Sequence, residues 1–285
     1  MSLLSQPLQA FMSIARQGTV HAAAKELGIT QTGVTQRIRS LEKDLGITLF
    51  IRSRSGMKLS AEGNALLRYC KNVVELEGEL NGHLSGKADQ TTVSLSIAGP
   101  TSVMSSRIVK QTLPLYKDFP QLLLNFVIDD SENRVLLAKS AKADLIIIHP
   151  SEVPNEMDSK KLSSEKYLLV ANPLWKKRKL SEIIKNEKLV DFDVNDRMSL
   201  NYLDKFGINN IGSRIFANNN ECLIDLIIHG IAYGILSLEN AQPLIDSAKV
   251  ITLNSGAVYE SPLALAWYPR PQMPLYFQSL LKLLR

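Results

Sequence analysis

Polar side chains that can bind nucleic acid recur along one face of a helix predicted between residues 31 and 45. This face carries Gln31, Thr32, Thr35, Gln36, Arg39 and Lys43, with Arg37 at its flank. Glutamine can hydrogen-bond the edge of a base in pairs, and arginine can bind guanine or a phosphate. The opposite face carries apolar residues at spacings of three to four, namely Val34, Ile38, Leu41 and Leu45. A helix of this kind is suited to lie in a DNA groove while its other side packs on a core.

A shorter predicted helix over residues 20–27 precedes this one and completes a helix-turn-helix arrangement. Thr19 and Thr30 stand at the N-cap positions of the two helices, and Gly28 stands where the first helix should end. The alternative interpretation is an ordinary amphipathic helical hairpin whose polar face is only solvated.

The excess positive charge of the chain is confined to this region. Residues 1–60 hold eight Lys or Arg and three Asp or Glu, whereas the remaining residues hold 25 of each. A basic local field attracts phosphate and makes binding strongly dependent on salt. The charge distribution therefore favours nucleic-acid binding by the N-terminal segment.

The overall composition excludes several other classes of protein. The hydrophobic content of 45% and charged content of 21% are typical of a soluble globular protein. Neither a membrane-spanning run nor a signal peptide is recognisable, which favours a cytoplasmic location. Cys70 and Cys222 form no disulfide framework, and the four histidines lack metal-ligand spacing. We therefore predict no cofactor, no metal and no enzymatic activity.

The stretch ITLFIRSRSGMKLSAEG after Gly46 predicts a β-hairpin with a turn around residues 55–56. Three basic side chains would reach the DNA backbone from this wing, namely Arg52, Arg54 and Lys58. Three apolar side chains would pack inward, namely Leu49, Phe50 and Leu59. Basic residues on a hairpin are often merely solvated, which is the alternative here.

A long helix is predicted from Ser60 to about Leu84, with apolar residues at alternating spacings of three and four. The seam consists of Leu66, Tyr69, Val73, Leu76 and Leu80. Such a seam is typical of a coiled coil and implies a dimer, and a dimer implies a roughly two-fold symmetric operator. A polar linker at residues 85–91 marks a domain boundary. We expect a DNA-binding domain over 1–60, a linker helix and hinge over 61–90, and a further domain over 91–285.

From residue 92 onward, predicted strands and helices alternate. The predicted strands are TVSLSIA, QLLLNFVI, DLIIIH, LSSEKYLLVAN, LVDF, SRIFA, AYGIL and SPLALAWY. Helices are expected near 102–117, 131–140, 180–186, 195–205, 220–229, from 239, and over 275–284. Apolar runs such as DLIIIH suit parallel strands buried on both faces. Two successive α/β units, whose last strand and helix return to the first, predict lobe I (about 91–162 and 266–285) and lobe II (about 163–265) with a cleft between them.

The stretch AAAKELGITQTGVTQRIRSLEKDLGITLFIRS, with KLSAEG after it, resembles the N-terminal signature of LysR-type transcriptional regulators. The resemblance implies an α+β multidomain protein with a winged helix-turn-helix, a long linker helix and a two-lobed effector domain of the type II periplasmic-binding-protein fold. The stretches ITQTGVTQRI and VVELEGEL resemble the arginine- and lysine-responsive branch, which implies a basic amino acid as effector.

The resemblance also implies where DNA is contacted. The positions are Gln31, Thr32, Gly33, Thr35, Gln36, Arg37 and Arg39. Gly33 stands where proline or alanine is usual in the family, and Thr35 stands where serine is usual. These departures leave the DNA-binding role intact and bear on which operator sequence is read.

The effector should bind in the cleft, where strand ends meet helix N-termini. The hydroxyls and backbone N–H groups at Thr101 and Ser102 could hold a carboxylate. The resemblance implies that this loop contacts the effector, and Asn218 and Asn220 occupy the equivalent transition in the other lobe. Asp129, Asp130 and Glu132 could meet a cationic side chain, and His149 could line the hinge. The alternatives are that the asparagines are helix caps, that the acidic residues serve the helix dipole, and that His149 is structural.

These features predict a sequence-specific transcriptional regulator controlled by a small-molecule effector. The expected partners are double-stranded DNA with an interrupted dyad-symmetric operator, an amino-acid effector, further copies of the chain in a homodimer or homotetramer, and RNA polymerase. The alternative is a cytoplasmic solute-binding protein with an N-terminal helical dimerisation module. The missing signal peptide and the segregated charge argue against it, and an α/β enzyme is weaker still because no catalytic constellation occurs.

Overall fold

The computed structural model of the chain describes residues 4–53, 56–84, 93–130, 133–194, 197–270 and 272–285. Four features predicted from the sequence lie outside the described residues and side chains. They are Arg54, the side chain of Leu80, the linker at 85–91, and Glu132.

The N-terminal domain is a three-helix unit followed by a two-stranded antiparallel wing. Its elements are α1 (Gln6–Gln17), α2 (Val20–Leu27), α3 (Gln31–Leu45), β1 (Phe50–Ser53) and β2 (Gly56–Leu59). The predicted caps are confirmed: Thr19 Oγ1 accepts from the Ala22 N–H at 3.2 Å, and Thr30 Oγ1 accepts from the Gly33 N–H at 3.0 Å. The sequence alone therefore defined the ends of both helices.

One apolar cluster holds this domain together. Its buried residues are Ala10, Phe11, Ile14, Ala23, Ala24, Val34, Ile38, Leu41, Leu49, Phe50 and Cys70. The prediction for Leu45 was wrong, because its side chain is 47% exposed. Leu41 is the last buried residue of α3, and Leu45 lies one turn further, beyond the reach of the neighbouring helices.

The linker helix α4 (Ala61–Leu84) starts at the predicted residue, since Ser60 Oγ accepts from the Gly63 N–H at 2.9 Å. Gly63 allows the helix to pack directly on the wing, because a Cβ there would lie 2.2 Å from the Leu49 carbonyl oxygen. Leu66 and Leu67 pack against the N-terminal core, and Cys70 is buried within it. The first turns of α4 therefore belong to the N-terminal domain.

The remainder of the chain is built on one mixed sheet in the order β4-β3-β5-β11-β6-β9-β7-β8, with β10 paired to β6. The strands are β3 (Val93–Gly99), β4 (Leu122–Ile128), β5 (Leu145–Ile148), β6 (Asp158–Ala171), β7 (Lys188–Asp191), β8 (Arg214–Phe216), β9 (Ala232–Ser237), β10 (Ile251–Thr252) and β11 (Val258–Trp267). β3 is parallel to β4 and β5, and β7 is parallel to β8 and β9. The long strands β6 and β11 run antiparallel to their neighbours and join the two parallel units.

The expected return of the last strand is confirmed, because β11 pairs with β5. The expectation that the apolar run DLIIIH forms a buried parallel strand is confirmed on one side of the strand only. Its strand β5 is parallel to β3 on one side and antiparallel to β11 on the other. A fully apolar run predicts a strand that is buried on both faces, but it does not predict whether the neighbouring strands are parallel or antiparallel.

The helices of this part are α5 (Thr101–Val103), α6 (Val109–Thr112), α7 (Leu115–Asp118), α8 (Arg134–Lys139), α9 (Leu180–Asn186), α10 (Met198–Lys205), α11 (Asn220–Ile228), α12 (Leu238–Asp246) and α13 (Leu275–Leu283). The single helix predicted near 102–117 is interrupted. A π-helical turn, Met104–Ile108, joins α5 to α6, and Pro114 separates α6 from α7 because proline cannot continue a helix from its interior. Among the described residues, no helix is both long and apolar enough to span a membrane.

Candidate functional sites

Helix α3 and the wing border one open groove on the surface of the N-terminal domain. The groove is lined by Val20, Gln31, Thr32, Thr35, Gln36, Arg39 and Arg52. Gln31, Gln36 and Arg39 are exposed, as is Arg52 on β1. The fold thus brings the side chains that were predicted to contact bases together with one basic residue of the wing.

Two hydrogen bonds orient the first turn of α3. The Thr35 hydroxyl donates to the Gln31 carbonyl oxygen at 2.9 Å, which leaves the oxygen of that hydroxyl as an acceptor. The Gln31 side-chain amide lies 3.1 Å from His21 Nδ1, so α2 holds the end of this glutamine. Gln31 is therefore positioned before any ligand enters the groove.

The other predicted contacts with DNA lie at the margin of the groove. Arg37 donates to Gln6 Oε1 at 2.9 Å and so points toward α1. Lys58 is exposed on β2 without lining the groove. Gly33 offers no side chain, its N–H is capped by Thr30, and a Cβ there would lie 3.3 Å from Thr30 Oγ1.

The predicted dimerisation seam of α4 is divided between two environments. Leu66 packs against the N-terminal core and is only partly buried, so the core covers part of its side chain. Tyr69 is 59% exposed and Leu76 is 46% exposed, and Val73 is partly buried between them. The exposed part of the seam therefore begins at Tyr69.

A cavity of about 250 Å³ lies at the ends of β5, β7 and β9, where the two parallel units face each other. Among the predicted effector-binding residues, its lining includes Thr101, Ser102, Asp130, His149 and Asn220. Asp129 and Asn218 do not line it.

Several of these residues have structural roles in the absence of a ligand. The Thr101 N–H donates to Asp130 Oδ1 at 2.7 Å, and the Thr101 hydroxyl donates to Asp130 Oδ2 at 2.5 Å. The start of α5 therefore already holds an anion: the Thr101 N–H is used, and each oxygen of the exposed Asp130 carboxylate accepts one hydrogen bond from Thr101.

The cap interpretation also applies in the other lobe and at the hinge. Asn219 Oδ1 accepts from the Glu221 and Cys222 N–H groups at 2.9 and 3.1 Å and so begins α11. His149 Nδ1 accepts from the Ser151 N–H at 3.2 Å, which places the proton of the neutral ring on Nε2. Asn220 and His149 nevertheless line the cavity and remain within reach of a ligand.

Three buried polar residues of the cavity were not singled out as effector ligands from the sequence. Glu165, Asp191 and Ser237 are only 3%, 1% and 3% exposed, and all three line the cavity. Burial raises the pKa of Glu165, and the hydroxyls of Tyr167 and Ser102 and the charge of Arg107 oppose that shift. A glutamate inside a strand and polar residues at strand ends were the available signal in the sequence.

Two family profiles match the chain. "Bacterial regulatory helix-turn-helix protein, lysR family" matches residues 5–64, and "LysR substrate binding domain" matches residues 88–285. This chain belongs to the LysR family. The family consists of transcriptional regulators and not of enzymes, and its two-domain organisation agrees with the fold class inferred from the sequence.

Curated members of the LysR family match part of the chain. YusT of Bacillus subtilis (strain 168), an uncharacterized HTH-type transcriptional regulator, is 37% identical over 121 residues, which are 42% of this chain and 41% of YusT. The HTH-type transcriptional regulator YofA of the same strain is 32% identical over 146 residues, 49% of each chain. The chain thus spans about two fifths to one half of the length of the curated relatives it matches.

Solved LysR-type structures match the whole fold. ArgP from Mycobacterium tuberculosis superposes with a TM-score of 0.82 at 19% identity, covering 99% of this chain and 97% of that chain. Full-length LysG from Corynebacterium glutamicum with bound effector Arg gives 0.78 at 18% identity, covering 98% and 96%. At these identities the likeness shows the fold alone.

The linker helix of this LysR family member is also fastened to its C-terminal domain. Arg270 donates to Glu75 Oε2 at 2.7 Å, and the Tyr276 hydroxyl donates to the same oxygen at 3.0 Å. The second nitrogen of Arg270 lies 3.7 Å from Asp144 Oδ1. We call Glu75, Asp144, Arg270 and Tyr276 the linker clasp.

Proposed function

We propose that the protein is a sequence-specific transcriptional regulator in the cytoplasm, controlled by a small molecule bound in the cleft. The observation that carries this proposal is the groove between α3 and the wing. Gln31, Thr35 and Gln36 are arranged there to read base edges, and Arg39 and Arg52 flank them as phosphate contacts. Thr32 lines the same groove and Lys58 lies on the wing outside it. We propose that Lys58 and Arg54 are further contacts to phosphate.

The exposed seam on α4 supports a homodimer, and a further pairing of dimers would give a tetramer. Tyr69, Val73 and Leu76 would be buried between two copies of the helix. Two copies of α3 would then read half-sites separated by a multiple of the helical repeat of about 10–10.5 base pairs, on an interrupted dyad-symmetric operator. A regulator placed beside a promoter in this way is also positioned to contact RNA polymerase.

We infer a basic amino acid as the effector. The likeness of the fold to LysG with bound effector Arg supports this, as do the acidic residues Glu165 and Asp191 in the cavity wall. The effector must bind one arrangement of lobes and subunits more tightly than the other, because otherwise it shifts no equilibrium. Such a shift would change the separation of the two copies of α3 on DNA.

The salt dependence of DNA binding tests the proposal. The dissociation constant of the full-length protein is measured on a duplex from the upstream region of its own gene, between about 50 and 200 mM salt. We expect a steep decrease in affinity with salt. Arg39→Ala and Arg52→Ala should each make the logarithmic slope shallower by about one, because each removes one cation from a phosphate.

Lys117→Ala is the matched control, because Lys117 is exposed on the C-terminal domain and its replacement removes the same charge. The slope should then stay as in the wild type. Weak binding to every duplex, without salt dependence, would contradict the proposal. A cytoplasmic solute-binding protein with an N-terminal helical dimerisation module would then be the better account of the cleft.

A further inference from the structure

The wall of the cleft contains oxygen atoms that are buried without hydrogen bonds of acceptable geometry. They are Glu165 Oε1, Asp191 Oδ1 and Ser237 Oγ. Buried polar atoms in folded proteins are nearly always paired, so each of these three requires an explanation. All three can accept a hydrogen bond, and all three belong to residues that line the same cavity.

The sheet register places these residues on three neighbouring strands. Ser237 at the end of β9 pairs with Tyr167 on β6, and Tyr167 donates its hydroxyl to Glu165 Oε2 at 2.7 Å. β7, which ends at Asp191, is the neighbour of β9 on its other side. The three oxygens therefore come from the adjacent strands β6, β9 and β7, and all three residues line the same cavity.

Among the buried carboxylates of the cleft, Glu165 is the one without a cationic partner within ion-pair distance in the described part of the chain. Asp191 Oδ2 accepts from Arg214 at 2.8 and 2.6 Å. Arg107 is the cation that acts on Glu165 from a distance, but its Nε lies 3.9 Å from Glu239 and its Nη1 donates to the Ser163 carbonyl oxygen. The Asp130 carboxylate accepts two hydrogen bonds from Thr101.

A buried ionised carboxylate is unfavourable unless a cation and hydrogen-bond donors accompany it. We propose that Glu165, Asp191 and Ser237 form the receptor for a cationic group of the effector, an ammonium or a guanidinium. An ammonium offers three N–H donors and a guanidinium offers five, which matches a site of acceptors. This inference rests on the proposed function of the cleft, and it transfers recognition of the cation from Asp129 and Asp130 to Glu165.

Calorimetric titration of the full-length protein tests the receptor with four probes. L-Arginine carries both cationic groups, L-citrulline carries only the α-ammonium, and Nα-acetyl-L-arginine carries only the guanidinium. Agmatine retains both cations and lacks the carboxylate. We expect one of citrulline and Nα-acetylarginine to bind at least tenfold more weakly than arginine, because one cation sits in the receptor, and we expect agmatine to retain binding that depends on Glu165.

Glu165→Gln should weaken arginine binding at least tenfold, since the variant keeps the shape and loses the charge. Ser237→Ala should weaken it severalfold without affecting the fold, because the Ser237 side chain makes no cap hydrogen bond to α12. Glu182→Gln is the matched control, since Glu182 is exposed on α9 and does not line the cavity. It should change arginine binding less than threefold.

The outcomes distinguish a failure of the receptor assignment from a failure of the basic amino acid as effector. If the wild-type protein and the Glu165→Gln variant bind arginine equally well, the receptor assignment is wrong. The proposed function as an effector-controlled transcriptional regulator would still stand. Equal binding of arginine, citrulline and Nα-acetylarginine has the same meaning. If no probe binds and none changes DNA binding by the wild-type protein, both the receptor and the basic amino acid as effector are overturned.

Discussion

Glu165, the residue proposed to bind the cationic group of the effector, carries a carboxylate whose burial opposes folding. Its carboxylate is buried in β6, and burial raises its pKa more than the Tyr167 and Ser102 hydroxyls and the Arg107 charge lower it. The ionised form is therefore less favourable in the folded protein than in the unfolded chain. Residues that await a ligand commonly carry a cost of this kind in the empty state.

In the absence of effector, Glu165→Gln should stabilise the protein at neutral pH by about 0.5–2 kcal/mol, because it removes an unpaired buried charge. The folded-state pKa of Glu165 lies above the unfolded value of 4.5. The advantage of the variant is thus complete above the folded-state pKa and disappears as the pH falls through it toward 4.5. Scanning calorimetry of both proteins at neutral and acidic pH measures this difference.

Glu152→Gln serves as the control, because the exposed Glu152 bears no desolvation penalty and its replacement should leave the melting temperature unchanged at every pH. A wild-type protein that is more stable than Glu165→Gln at neutral pH would mean that the Glu165 charge is compensated within the chain. The cleft would then need no cation.

At the scale of elements, α4 packs against the N-terminal core with its first turns and exposes apolar side chains on its following turns. Its first turns complete the N-terminal core through Leu66, Leu67 and Cys70, and burial raises the pKa of the Cys70 thiol to about 11. The following turns expose Tyr69 and Leu76 on one face. Large apolar side chains exposed at this spacing indicate a second copy of the helix as the partner.

Leu76→Glu should dissociate the dimer, because it places two like charges in an apolar seam. Val74→Glu is the matched control: Val74 is 42% exposed, but it lies roughly 160° around the helix from Leu76. Sedimentation velocity over a range of concentrations should give a lower mass for Leu76→Glu only. Equal effects of the two substitutions, or none, would show that the seam is not the dimer interface.

Short elements were less predictable than long ones. The caps of α2, α3 and α4 could be predicted from the sequence, because each depends on one side chain and a nearby N–H group. Thr19, Thr30 and Ser60 accept hydrogen bonds from N–H groups three residues away. The interruptions around α6 were not, although Pro114 was visible in the sequence. The π-helical turn between α5 and α6 depends on how Met104 and Ile108 pack in the core of their lobe, which no local pattern reports.

At the scale of the molecule, the linker clasp couples the N-terminal domain to the effector domain. The Arg270 and Glu75 side chains are only 8% and 16% exposed, so their ion pair is largely removed from water. Burial raises the pKa of Glu75, while Arg270 and the Tyr276 hydroxyl act against that shift. A largely buried pair of this kind fixes the position of α4 on the effector domain.

Arg270→Ala should destabilise the protein by about 3 kcal/mol, because it leaves the buried Glu75 carboxylate without its partner. The free energy of unfolding from denaturant titration measures this effect. The matched control is Glu156→Ala, which removes the exposed ion pair between Lys139 and Glu156 and should destabilise the protein by less than about 1 kcal/mol. Equal destabilisation of the two variants would mean that the clasp contributes no more than a surface pair.

The sequence by itself determined the family, the polar and apolar faces of α3 and the approximate boundaries of most helices and strands. These features depend on periodicity, capping and motifs within short stretches of chain, which local chemistry controls. The tertiary structure decided the rest. It showed that Thr101 already hydrogen-bonds to Asp130 and that Leu66 packs against the N-terminal core. It also showed that Glu165, Asp191 and Ser237 line one cavity. Residues from strands far apart in the chain meet only when the sheet forms, so the three buried oxygen atoms that they leave without a hydrogen bond are visible only in the fold.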